Sequence, residues 1–153
     1  MDLSYISASE AAYEKFFDEC DAMAAGKFIL GERHIRNILK CIAGSSILLS
    51  VFAYAAEGYN FPVEFDRHVA VQGDTKRLNL PADAREFAAF VYCLFMEIDG
   101  RSIDFHKLLN EYYYQADGYA ESYKLFVRDI IEPLQIHVRS LREGEKFTYL
   151  III

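Results

Sequence analysis

Residues 97–105 read Glu-Ile-Asp-Gly-Arg-Ser-Ile-Asp-Phe, placing three carboxylates and a serine around a glycine. That is the raw material of a calcium loop, and it echoes the second half of an EF-hand. The register does not fit. Setting Ile103 at the apolar eighth position puts Met96 at the first ligand position, Gly100 at the fifth and Lys107 where a bidentate glutamate is required. The string reads instead as a helix end, a tight glycine turn and a newly capped helix.

The four histidines, His34, His68, His106 and His137, are too far apart in sequence for any two to share a helix face at i+3 or i+4. HExxH, paired ExxH and Cys/His clusters are all missing, so zinc and carboxylate-bridged iron sites have no sequence support. Glu97 and Asp99 close an apolar stretch. A carboxylate buried there would have a raised pKa and could serve as a general acid. Nucleophile elbows, phosphate loops and dinucleotide fingerprints are also missing. The residues therefore assign no catalytic group, no metal ligand and no cofactor.

The most unusual grouping is aromatic. Tyr112, Tyr113, Tyr114, Tyr119 and Tyr123 fall within 12 residues, out of 11 tyrosines in the chain. Successive helical residues point about 100° apart, so three in a row cannot share one core face. At least one must face outward. An exposed tyrosine suits an interface, because its ring supplies area at low entropy cost and its hydroxyl tolerates water. The C-terminal residues 147–153, Phe-Thr-Tyr-Leu-Ile-Ile-Ile, form a second candidate. They carry no side-chain charge, no glycine and no proline, which favours an extended, covered segment. Three origins stay open: a strand added beside residues 77–80, pairing with its copy in a second chain, or a point where the chain was cut. The candidate interface residues are Tyr112, Tyr113, Tyr114, Tyr119, Phe147, Tyr149, Ile151 and Ile153.

These residues must be positioned by a mostly helical chain. Its 153 residues suit one domain, and no low-complexity linker or internal repeat divides it. Apolar residues at 53% suffice for a core without disulfides or metals. A net charge of −7 repels phosphate, which argues against nucleic acid as a partner. The densest basic window, Lys27, Arg33, His34, Arg36 and Lys40, reads as a solvated helix face. Cys20, Cys41 and Cys93 show no CxxC spacing and sit among apolar neighbours, which predicts reduced thiols and a cytoplasmic setting. Residues 1–9 lack a basic start and a long apolar run, so no secretory leader is expected. The longest near-apolar run, residues 47–56, is about half of what a membrane span needs.

Apolar spacing and caps predict about six helices in an irregular or orthogonal bundle. The first opens with a capping box at Ser7 and Glu10 and stops at Gly26. The second carries Ile35, Ile38, Leu39 and Ile42 at helical spacing and ends at Gly44. The third, capped by Ser46 and closed by Gly58, is apolar nearly all round, and so is either central or at a subunit contact. A short helix after Pro62 leads into a small β element near residues 69–80, turning at Gly73 and Asp74. The fourth begins at Asp83 and Glu86 and ends at Gly100. Apolar on most sides, it is the expected centre of the core. The fifth is capped by Asp104, with Ile103 and Leu108 at staple spacing. The sixth runs from near Asp117 to Gly144. Pro133 should kink or break it, because proline cannot bond to the carbonyl of Asp129.

Two functions are compatible with these features. One is a non-catalytic helical module for protein interaction or self-association, with a protein partner or a second copy. The other is a small-molecule-binding or enzymatic domain with a pocket between helices, into which Glu97, His106 and tyrosine hydroxyls would converge.

Overall fold

A computed structural model describes the backbone of residues 3–152 and the side chains of residues 8–144. In chain order the elements are α1 (Leu3–Ala25), a 3₁₀ turn (Phe28–Leu30), α2 (Gly31–Ala43), α3 (Ser46–Ala56), α4 (Phe61–Arg67), β1 (Val69–Gln72), β2 (Thr75–Leu78), α5 (Ala84–Asp99), α6 (Phe105–Tyr112), α7 (Tyr119–Phe126), a π-helical turn (Val127–Ile131) and α8 (Glu132–Ile152). The mostly helical architecture with a small β element matches the sequence expectation.

Side chains set four of the helix starts. Asp83 and Asp104 accept from the amides of Glu86 and Lys107, each at 3.0 Å, which satisfies donors that the first turn leaves orphaned. Asn60 does the same for α4 just before Pro62. Two predicted starts move. The cap of α3 is Ser45, accepting from Leu48 at 3.2 Å, and Ser46 is the first helical residue. α1 begins at Leu3, so Ser7 lies inside the helix.

The end of the chain differs more. Residues 147–152 continue α8 as helix and are not extended. Gly144 does not take the left-handed conformation that would terminate a helix, so the hydrogen-bond ladder runs through it. Ile153 and the side chains of Phe147, Tyr149 and Ile151 lie outside the described residues.

Pro133 does not break the helix as expected. The turn just before it widens to π geometry, and the amide of Glu132 bonds to the carbonyl of Val127, five residues back. Inserting one residue into the ladder absorbs the missing proline donor while the helix carries on. Near-continuous helix from Tyr119 to Ile152 results.

The hairpin pairs Val69 with Leu78 and Gln72 with Thr75 around Gly73, whose φ of 62° suits the reversal. Only Leu78 of β2 is buried, pinning the hairpin to the helices.

α5 is the centre of the core. It packs on α2, α3, α4 and α8 and buries Phe87, Ala88, Ala89, Phe90, Val91, Leu94, Phe95 and Ile98. α3 is peripheral: Ile47, Leu48, Phe52 and Ala55 are buried, whereas Leu49 and Tyr54 are exposed. Its all-round apolar composition is thus only half used within this chain. α8 is fastened to α1 by guanidiniums lying over rings, Arg139 on Phe17 at 4.4 Å and Arg142 on Tyr13 at 4.8 Å, with Arg142 also paired to Glu10.

Among the described residues, no single helix is long and apolar enough to cross a membrane. Only residues 28–43 taken with 46–56 reach that composition, across a bend of 104°.

Candidate functional site

The fold divides the tyrosine cluster among three environments. α6 ends at Tyr112, and Tyr113 leaves helical geometry with φ −131° and ψ 27°. Gly118, at φ 112°, then turns the chain into α7. Tyr113 goes inward, 4% exposed, edge-on to Phe126 at 5.6 Å. Its ring is packed in the core and gives no exposed face for a protein contact, which corrects its placement among the interface candidates: leaving the helix one residue after Tyr112 rotates it into the bundle. Tyr123 is also buried, and its hydroxyl donates to the carbonyl of Met23 at 2.6 Å. Tyr112 is half-buried, edge-on to Phe65. Tyr114 faces solvent at 64% exposure. Tyr119 stacks on Phe28 at 5.4 Å, and His106 packs against both rings.

Two concavities flank α7. The first, about 630 Å³, lies between the end of α1, the 3₁₀ turn and α7. The exposed Ala24, Ala25 and Ala120 leave it open because their side chains are short, while buried Tyr123 and Val127 and half-buried Phe28 supply its apolar bulk. Lys27 and Lys124 stand at its rim; Lys124 is paired with Glu121 at 3.1 Å. Glu132 marks one end. Beside it Ile29 is 67% exposed and Leu30 is 39% exposed. This groove exists because two glycines allow a tight corner. A Cβ on Gly26 would stand 2.6 Å from Nε2 of His34, and one on Gly31 would stand 2.5 Å from the Phe105 ring.

The second concavity, about 340 Å³, lies between the hairpin and the α6–α7 corner. Thr75, Lys76, Arg77, Leu78 and Asn79 form one wall; Tyr112, Tyr113, Tyr114 and Gln115 form another; Leu125, Arg128 and Asp129 close it. Lys76 reaches Glu111 at 2.9 Å, and Arg128 reaches Asp129 at 3.2 Å. The Tyr113 hydroxyl is buried without a hydrogen-bond partner. Burial, helped by the Asp129 carboxylate, pushes its pKa well above the usual phenol range, so it stays protonated.

Glu97 and His106 line neither concavity. In the turn after α5, the Glu97 carbonyl accepts from the amides of Ser102 and Ile103, and Arg101, at φ 64°, makes the reversal while Gly100 stays right-handed. Asp99 pairs with Arg36 at 3.1 Å on the surface, which uses one cation of the basic window. His68 lies 3.9 Å from the Glu64 carboxylate with its ring edge-on to Phe90. His137 packs on Phe87 at 4.6 Å. Among the described residues, no three His, Cys, Asp or Glu side chains gather as metal ligands would.

Phe28, Ile29 and Leu30, between the predicted stop at Gly26 and the second helix, carry no functional reading from the sequence. Their signal was available: three successive large apolar residues between Lys27 and Gly31, with no helical stripe to absorb them. The hairpin's Lys76 and Arg77 carried no such signal.

No protein-family model, curated protein or solved structure matches the chain.

Proposed function

We propose that this chain is a non-catalytic helical protein-interaction module that receives an amphipathic helix of a partner in the groove between the end of α1 and α7. The observation carrying this reading is the exposure of Ile29 and Leu30 beside that groove. Scattered apolar residues on a surface mean little. Here they adjoin a trough lined by Phe28, Tyr123 and Val127 together with three alanines, with Tyr119 stacked on Phe28. Helix-in-groove recognition uses such a trough, filled by anchors three or four residues apart. Lys124 is matched by Glu121 and Glu132 stands at one end, so the basic part of the rim is at Lys27, which has no carboxylate partner among the described residues. The fitting occupant carries apolar anchors flanked by carboxylates.

The interior supports the same reading. The buried polar residues described are Ser122 and Gln135, and the rest of the described core is apolar or aromatic. The described cysteines are free, with Cys20 and Cys41 buried, which supports a reducing, cytoplasmic setting.

Two synthetic helical peptides test the proposal. Both carry the same leucine anchors; one is flanked by glutamates and the other by lysines. Titrated into isotopically labelled protein, the glutamate peptide should shift the amides of Ile29, Ala120 and Lys124 saturably, and Ile29→Asp should abolish the effect. Equal binding of the lysine peptide, or no saturable shift from either, would sink the proposal. A concentration-dependent rise in mass by light scattering that Ile29→Asp removes would give the groove to a second copy instead.

A further inference from the structure

We infer that the cleft between the β1–β2 hairpin and the α6–α7 corner binds a small organic monocarboxylate. The observation is independent of the helix-binding groove and rests on three features of the cleft wall.

The first is the orphaned phenol. The hydroxyl of Tyr113 belongs to a side chain only 4% exposed and has no hydrogen-bond partner. Buried polar groups are almost always paired, because an unmade bond forfeits the water it displaced. His34 Nδ1, the Tyr59 hydroxyl and Arg142 Nε are also buried and unpaired, but of these four only Tyr113 lines either concavity. A protonated phenol is a donor, so the group it lacks is an acceptor.

Charge is the second feature. Of the three cations in the wall, Lys76 is matched by Glu111 and Arg128 by Asp129. Arg77 has no carboxylate partner among the described residues. One positive charge is left over, and its guanidinium fork matches the two oxygens of a carboxylate. A doubly charged phosphate would exceed what the cleft neutralises.

Size and lining complete the case. A volume of about 340 Å³ is near the lower end of ligand pockets, room for one ring bearing a carboxylate. Leu78, Leu125 and the tyrosine rings provide apolar area, and Thr75, Asn79 and Gln115 provide polar groups.

The probes are benzoate, its neutral analogue benzamide, and inorganic phosphate, each titrated into the labelled full-length chain. Benzoate should shift the amides of Thr75, Arg77 and Gln115 saturably, and benzamide should bind more weakly. Arg77→Gln, an exposed substitution, should weaken benzoate by about tenfold. Tyr113→Phe should also weaken it while leaving the melting temperature unchanged or raised, since the unpaired hydroxyl contributes nothing to the empty fold. Ile29→Asp should leave benzoate binding intact, which separates this site from the helix groove. The inference is overturned if benzoate gives no saturable shift, if phosphate moves the same amides as strongly, or if Arg77→Gln and Tyr113→Phe both bind benzoate like the parent chain.

Discussion

The hydroxyl of Tyr123 donates to the main-chain carbonyl of Met23 at 2.6 Å, tying α7 to the end of α1 across 100 residues of chain. The bond is buried, and the same carbonyl also accepts from Gly26 at 3.2 Å. It fixes one wall of the groove against the other. Tyr123→Phe keeps the ring and its edge contact with Phe105 but removes the donor. Stability should fall by about 1 kcal/mol, read from the denaturant midpoint at constant slope. An unchanged midpoint would show that this bond does not hold the two helices together.

Glycines at opposite ends of the fold should respond in opposite directions. Gly31→Ala puts a methyl 2.5 Å from Cε2 of Phe105 and 3.3 Å from Cε2 of Tyr123, both buried rings. Overpacking of this kind costs about 1–3 kcal/mol. At Gly144 no atom of the described residues outside its own helix backbone lies within 4 Å of an added Cβ, and the residue is helical. Gly144→Ala should therefore stabilise by about 0.5–1 kcal/mol. Thermal melts of the two variants should bracket the parent; the same sign in both would contradict the corner geometry.

The centrality of α5 is open to the same kind of measurement. Leu94 is fully buried, and Leu94→Ala should cost about 2–5 kcal/mol through lost transfer energy and the cavity left behind. Ile136 on α8 is exposed, and Ile136→Ala should stay within about 0.5 kcal/mol. Comparable losses at both positions would mean that the core is misplaced.

Stability should also depend on His137. Its pKa is lowered from 6.5 by burial against Phe87, partly offset by the Asp83 carboxylate. The unfolded chain then binds the proton more readily than the folded one, so folding is favoured above the unfolded pKa. That contribution is lost as the pH falls from about 6.5 through the lower folded value. Urea midpoints measured between about pH 5 and pH 8 should drop on the acid side, and His137→Gln should flatten that part of the profile. An unaltered profile in the variant would assign the acid loss to other groups.

Thiol labelling should follow burial. Cys20 is fully buried, with its thiol pushed far above its usual range by desolvation and then by the neighbouring Asp21. Cys41 and Cys93 are raised for the same first reason, but Cys93 is only half-buried. A disulfide-exchange reagent should modify Cys93 first and reach Cys20 only on unfolding. Rapid modification of Cys20 in the native protein would contradict its position inside α1.

The sequence by itself determined the helices and most of their ends, because those depend on local contacts. Asp83 and Asp104 cap amides three residues away, and Phe87, Phe90, Val91, Leu94 and Ile98 repeat with the helix. The Gly73 turn was legible for the same reason. Tertiary structure decided which way each tyrosine faced. Tyr113 and Tyr114 are adjacent and chemically identical, yet one meets Phe126 in the core and the other meets solvent. Nothing within a few residues distinguishes them. Their environments are set by the chain leaving α6 at Tyr113 and by the distant partner each then meets. The two concavities have the same origin, since their walls come from residues 24–29 with residues 120–132, and from residues 75–79 with residues 112–129. Spacing along a chain carries information about neighbours within a helical turn or two. It carries almost none about surfaces that only packing brings face to face.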